Sequence, residues 1–266
     1  MASIENLIDL SGRRALITGA TGGLGRIFAV TLAELGANLI LVDRPGSDFE
    51  LVSSEVVQRW GVSIESHVCD LEIQTQRSSL VEKLKASKQG LNILVNNAAF
   101  VGTTDLPGWN VPFEEQSVET WRRAVEVNLT AVFDLSQGLT SLLKVANGAT
   151  IINIASIYGM YGPDWSFYTG TNMGNSAAYS ASKGGLIQLT RWLATTIAPE
   201  IRVNAISPGG IFRNQPEEFI KRYVARTPLG RMASEEDFRG AIAYLSSDLS
   251  KFVTGQVLSV NGGWGV

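Results

Sequence analysis

Arg13-Arg14-Ala15-Leu16-Ile17-Thr18 runs directly into Gly19-Ala20-Thr21-Gly22-Gly23-Leu24-Gly25, a strand segment followed by a glycine-rich turn. From about Leu24 to Leu35 the apolar residues then recur at helical spacing, and Gly36 ends them. A strand, a turn poor in side chains and a helix, in that order, bring backbone N–H groups and the positive end of a helix dipole onto a phosphate. The strict GxGxxG fingerprint fails, because Phe28 stands three residues after Gly25; the spacing is TGxxxGxG. Taken alone, such a turn is equally an ordinary β–α connection.

The same alternation continues on both sides of the turn. Further strands are expected at 37–43, 63–70, 90–99, 149–156 and 201–207, with a seventh in the closing QVLSVNGG. Helical spacing fills 49–60, 74–87, 118–146 and 178–198, the last stopped by Pro199, and Ser234-Glu-Glu-Asp237 caps a late helix. Near-continuous apolar strands alternating with helices specify an α/β fold: a doubly wound, seven-stranded parallel sheet with helices on both faces. No linker, repeat or low-complexity tract divides 1–266, so one domain is expected.

Composition narrows the function. The 266 residues carry 22 basic and 25 acidic side chains, which leaves no electrostatic footprint for nucleic acid. One cysteine (Cys69) excludes an intrachain disulfide, and one histidine (His67) argues against a zinc cluster, so no metal is expected. His67 also stands far from any nucleophile, and no GxSxG elbow exists for a serine hydrolase. The first ten residues include Glu5 and Asp9 and lack a basic region, unlike a secretory signal. With no apolar stretch near the ~18 residues a bilayer span needs, a cytoplasmic protein with a small-molecule substrate and no membrane partner is expected.

Residues at the strand ends extend the phosphate site. Asp43 closes the second strand 18 residues after Gly25, where a carboxylate can accept from ribose hydroxyls and repel a 2′-phosphate; this favours NAD. Arg44 pulls the other way, since it can reach a 2′-phosphate and favour NADP. Asp70 and Leu71 end the third strand on the same sheet edge, where Asp70 either meets the adenine or caps the next helix. Asn96-Asn97-Ala98-Ala99 closes the fourth with small residues that let a cofactor approach the backbone.

Tyr179 and Lys183 are four residues apart, on one face of a helix. An ammonium beside a phenol lowers its pKa toward the range a general acid/base needs. In order along the chain stand TGxxxGxG, NNAA, Asn128 in VEVNL, Ser156 in INIAS, YxxxK and Ser207-Pro208-Gly209-Gly210. This array, from about Leu10 to Gly263, resembles the short-chain dehydrogenase/reductase family, which has a Rossmann-type fold. The resemblance implies that Tyr179 exchanges a proton with the substrate oxygen and that Lys183 lowers the tyrosine pKa and holds the nicotinamide ribose. It also implies that Ser156 hydrogen-bonds the reacting oxygen and that Asn128 holds a water linking Lys183 to solvent. Gly19, Thr21, Gly22, Gly23, Leu24, Gly25, Asn97, Ala98, Ala99, Pro208, Gly209 and Ile211 would contact the cofactor, and Tyr158 and Gly210 the substrate. A dinucleotide-binding sensor without chemistry is the rival class, and the intact Asn128–Ser156–Tyr179–Lys183 set argues against it.

The chain departs from the family pattern in several places. NNAA replaces NNAG, and the loop from Phe100 to Gln116 is long. Ser156 and Tyr179 are 23 residues apart where the family has about a dozen. The insert, about 157–177, carries Tyr158, Tyr161, Trp165, Phe167 and Tyr168; it is either a wall that stacks a sugar or a loop covering a subunit contact. Phe212, Arg213 and Asn214 stand where the family often has a threonine near the nicotinamide amide. In the lid region, about 211–228, Arg213, Lys221, Arg222 and Arg226 either meet a phosphorylated substrate or belong to a solvated helix. In the family the helices near 118–146 and 178–198 pair across a two-fold axis, which implies a homotetramer with Trp264 reaching a neighbour. PGGIF (208–212), PLGRM (228–232) and NGGW (261–264) also resemble a branch associated with bacterial surface-sugar pathways, including nonulosonate and flagellar glycans. The substrate expected is therefore a sugar derivative, with 3-oxoacyl-thioester reduction as the alternative.

Overall fold

Seven apolar segments become the strands β1 (Arg14–Thr18), β2 (Asn38–Asp43), β3 (Ile64–Val68), β4 (Ile93–Asn96), β5 (Thr150–Ile154), β6 (Arg202–Pro208) and β7 (Val257–Val260). All pair in parallel, in the order β3-β2-β1-β4-β5-β6-β7. The structure, a computed structural model, describes residues 2–101 and 104–266; Gly102 and Thr103 of the long 100–116 loop, and Met1, lie outside the described residues.

Helices cover both faces, as near-continuous apolar strands require. On one face α2 (Gly23–Glu34), α3 (Glu50–Trp60) and α10 (Arg239–Ser246) bury Phe28, Leu32, Val52 and Ile242 against the sheet. On the other, α4 (Gln74–Ala86), α6 (Ala131–Gly138), α7 (Thr140–Lys144) and α8 (Ala177–Thr196) bury Leu80, Leu135, Leu143 and Leu193. The short α1 (Ile4–Ile8) precedes β1, α5 (Val118–Val125) precedes α6, and α9 (Glu217–Ala225) lies within the lid region. No helix among the described residues is long and apolar enough to cross a membrane.

The chain winds outward from β1 to β3 and then returns to β4 on the other side of β1, which opens a crevice at the carboxyl ends of β1 and β4. Side chains brace this crevice. Asn97 Nδ2 donates to the carbonyls of Thr18 (2.9 Å) and Gly19 (3.0 Å), and Thr18 Oγ1 accepts from the N–H groups of Asn97 and Ala98. Gly19 sits at φ +63°, and a Cβ there would lie 2.9 Å from Ala98 Cα, so only glycine closes β1 at this point.

Three expectations about this scaffold need correction. The helix expected over 118–146 is interrupted by a π turn at Glu126–Thr130 and ends its second part at Gly138. Long-range contacts meet at this turn: the buried Arg77 pairs with Glu126 (2.7 Å) and Asp134 (2.6 Å), while Asn128 hydrogen-bonds the backbone of Phe100. The helix over 178–198 ends at Thr196, before Pro199 acts on it. Trp264 stays in its own chain, buried and stacked on Tyr223 with ring centroids 6.4 Å apart. It belongs to a cluster with Phe167, Tyr168 and Phe219 that unites the insert, the lid and the chain end.

Candidate active site

At the carboxyl edge of the sheet lies a cavity of about 1080 Å³ that takes in the crevice, the insert and the lid. Gly19, Thr21, Gly22, Gly23 and Leu24 line one end, with Asp43, Arg44, Asp70 and Leu71 beside them. Asn97, Ala98 and Ala99 form the floor, and Pro208, Gly209, Gly210 and Ile211 the facing rim. Ser156, Tyr158, Tyr179 and Lys183 line the deeper part. Two predicted residues lie outside it. Gly25 packs behind the loop, where a Cβ would collide with the Gly19 carbonyl, and Asn128 is fully buried behind Lys183's helix.

The local sequence fixes Tyr179 in the first turn of α8. Ser176 is the N-cap, its hydroxyl accepting from Tyr179 N (3.2 Å), and Gln116 Oε1 accepts from Ala177 N (3.0 Å). One turn on, Lys183 Nζ lies 5.9 Å from the Tyr179 ring centroid and donates to the Ile154 carbonyl at the end of β5 (2.6 Å). Ser156 follows β5, with its hydroxyl accepting from Tyr158 N (3.2 Å). Asn128 Oδ1 accepts from Phe100 N (2.7 Å), and its Nδ2 donates to Phe100 O and Ser182 Oγ. That amide therefore braces the strand β4 exit against α8.

The protonation pattern also departs from the simple phenol–ammonium picture. Burial raises the Tyr179 pKa above its usual value; a hydrogen bond with Ser156 and the charge of Arg213 pull it back only in part. Burial pushes Lys183 down to about 7.

The cofactor end fits a dinucleotide. Gly22 caps α2 with no side chain over the helix start, and no acidic residue stands in its first turn. Asp43 Oδ2 accepts from Thr21 N (2.9 Å) and Thr21 Oγ1 (2.8 Å), while Oδ1 accepts from Arg44 N (2.8 Å). The carboxylate thus orders the phosphate loop as well as facing the cavity. Asp70 accepts from Glu72 N (2.9 Å) in the turn before α4, whose N-cap is Ile73 with no side-chain cap, so Asp70 lines the cavity without capping that helix. No group of three His, Cys, Asp or Glu side chains that could hold a metal occurs among the described residues.

The insert contributes a polar face that the motifs did not single out. The hydroxyls of Tyr158 and Tyr168 are 2.6 Å apart, and the side chain of Asn175 hydrogen-bonds the Tyr168 phenol. Asn175 Oδ1 accepts from Ser180 Oγ (2.8 Å). Asn175 carried no sequence signal, whereas Phe219 and Tyr223, on the lid side, recur at the i, i+4 spacing of an amphipathic helix. The Tyr223 hydroxyl accepts from Gly210 N (2.6 Å) and so ties α9 to the rim. A Cβ on Gly159 would lie 2.7 Å from the Lys183 carbonyl group, so a glycine there lets the insert start against α8. Lid and insert are latched: Arg222 donates to the carbonyls of Ser166 and Thr169, and Arg226 pairs with Asp164 at 3.2 Å.

Known proteins resemble this chain in sequence and fold. A family model described as enoyl-(acyl carrier protein) reductase matches residues 19–265. The 3-oxoacyl-[acyl-carrier-protein] reductase of Aquifex aeolicus is 32% identical over 96% of this chain and 98% of its own length. A solved short-chain dehydrogenase from Leptospira borgpetersenii with bound NAD+ superposes with a TM-score of 0.83 at 32% identity, covering 100% of this chain and 97% of that one. A gluconate 5-dehydrogenase from Burkholderia cenocepacia, in complex with NADP and tartrate, gives a TM-score of 0.83 at 28% identity, with 98% of both chains covered.

Proposed function

The chain belongs to the short-chain dehydrogenase/reductase family, and from that premise we propose that it interconverts an alcohol and a carbonyl on a polar, sugar-derived molecule, with NAD as cofactor and Tyr179 as general acid/base. Membership makes it an NAD(P)-dependent oxidoreductase, which sets aside a sensor that binds without chemistry. The nicotinamide, when bound, supplies or accepts the hydride. Tyr179 Oη gives a proton to the carbonyl oxygen in reduction and takes it from the alcohol in oxidation. Ser156 Oγ holds the same oxygen, so that the reacting atom is positioned before transfer. Lys183 would hold the ribose hydroxyls of a bound cofactor and, one turn from Tyr179, draw the phenol pKa down.

The observation that carries the substrate class is the hydrogen-bonded Tyr158–Tyr168–Asn175 face beside Ser156 and Tyr179. A row of hydroxyl and amide groups offers hydrogen-bond partners to a substrate with several hydroxyls, which an acyl chain has no groups to use. The runner-up, reduction of a 3-oxoacyl thioester, is favoured by the activity named for the Aquifex relative. A turnover screen of sugar alcohols, amino sugars and nucleotide sugars against acyl thioesters, followed at the nicotinamide absorbance, separates the two. Turnover confined to polyhydroxy substrates is expected. Turnover of acyl thioesters with no response to any sugar rejects the proposal.

NAD is proposed because Asp43 ends β2 at the cavity, where its charge repels a 2′-phosphate. Wild type is expected to prefer NAD by about one to three powers of ten in kcat/KM, and Asp43→Ala to narrow the ratio. A wild-type preference for NADP would mean that Arg44 outweighs the carboxylate. A homotetramer is proposed from the half-exposed aromatic rings of Trp121, Phe133 and Trp192 on α5, α6 and α8. Light scattering at micromolar concentration should give four times the chain mass, and a monomer refutes the assembly.

A further inference from the structure

Four cations stand in the lid region, and three of them are accounted for. Lys221 pairs with Glu217 and Glu218, Arg222 with Glu218 and the insert carbonyls, and Arg226 with Asp164. They serve the lid's own helix and its latch. Arg213 faces elsewhere.

Its guanidinium lies over the first turn of α2. A Cβ built on Gly23 would stand 2.8 Å from Arg213 Nη2 and 2.8 Å from Glu235 Oε1. Arg213 Nε and Nη2 both lie 3.1 Å from that carboxylate oxygen. The backbone that presents it is pinned, since Arg213 N donates to Gln215 Oε1 (2.7 Å) and Gln215 Nε2 donates to Ile211 O (2.7 Å). Arg213 lines the same cavity end as Gly22, Gly23 and Leu24, where α2 starts without a side-chain cap or an acidic residue.

An anion laid on those helix N–H groups comes within reach of the guanidinium, whose fork can hold two phosphate oxygens at once. Among the described residues the carboxylate paired with it is Glu235, from the segment before α10. We propose that Arg213 clamps the cofactor's pyrophosphate against the start of α2, and that Glu235 holds the guanidinium in place of that pyrophosphate when the cofactor has left. Glu235 is then a competitor: it lowers cofactor affinity and eases release. Because Arg213 opens the lid segment, cofactor occupancy also fixes one end of the substrate wall. This inference rests on the dinucleotide site and is independent of the substrate proposed above; a protein that binds NADH and oxidises no sugar leaves it intact.

Direct binding tests it in the full-length protein, with NADH followed by its own fluorescence and with ADP and adenosine by calorimetry. Arg213→Gln is expected to weaken NADH and ADP by about tenfold or more, the size of a lost charge-assisted contact, and to leave adenosine within about twofold. Glu235→Gln removes the competing charge while keeping the guanidinium, and is expected to tighten NADH by about threefold or more. Wild-type binding of NADH and ADP by Arg213→Gln overturns the clamp, as does an equal loss for all three ligands. If Glu235→Gln leaves NADH affinity unchanged or weaker, the competition is overturned, and this variant decides the matter even where Arg213→Gln folds poorly.

Discussion

Tyr179→Phe is expected to lower turnover by at least about 100-fold while NADH still binds. Phenylalanine keeps the ring that packs in the first turn of α8 and removes the proton donor, while Ser156 Oγ remains. Stopped-flow or steady-state rates give the first number and fluorescence titration the second. Near-wild-type turnover would remove Tyr179 from the mechanism. The raised pKa of the phenol adds a sign. The proton is held to higher pH, so alcohol oxidation, which needs the phenolate, should rise with pH across the range where carbonyl reduction is still supported.

Lys183→Met is the second large effect, and it acts on stability as well as rate. The ammonium is buried with a pKa near 7 against an ordinary 10.5, so the folded protein releases a proton that the unfolded chain keeps over that interval. Stability from this group is therefore full above 10.5 and is lost as pH falls to about 7. The linkage is on the order of a few kcal/mol. Methionine removes the ionisation. Denaturant titrations should show Lys183→Met gaining on wild type below pH 7 and losing that advantage toward pH 10, even though the hydrogen bond to Ile154 O is gone. Its turnover should also fall by about 100-fold or more. A wild-type-minus-variant stability difference that does not change with pH would mean that Lys183 stays fully charged when buried.

The fold could be read from local pattern because a buried parallel strand and a covering helix each carry their own periodicity. The turn at Gly19–Gly25 and the YxxxK pair lie within one or two elements, so sequence spacing translates directly into space. What stayed hidden depends on partners far along the chain. Arg77 meets Glu126 and Asp134 from another helix, and the π turn they accompany has no glycine or proline to announce it. At Tyr179 a sequence displays the neighbouring lysine but not the burial that raises the phenol pKa and lowers that of the lysine. Nothing in the closing NGGWG indicates the ring cluster of its own chain that receives Trp264. Arg213 and Glu235, 22 residues apart, meet only through the fold.

The latch that joins Arg222 and Arg226 to the insert, together with the rings of Phe167, Phe219, Tyr223 and Trp264, bears on how the substrate range of this scaffold can change. Segments 157–177, 211–228 and 261–266 make up a single cassette carried on an otherwise generic sheet. A donor loop transplanted at 157–177 alone would leave the lid's arginines and the terminal indole without their counterparts. A chimera that exchanges all three segments together keeps those contacts internal to the donor. Retargeting this enzyme is thus a problem of moving a small module whole, and mutational walks confined to one wall will stall on partners left behind in the other two.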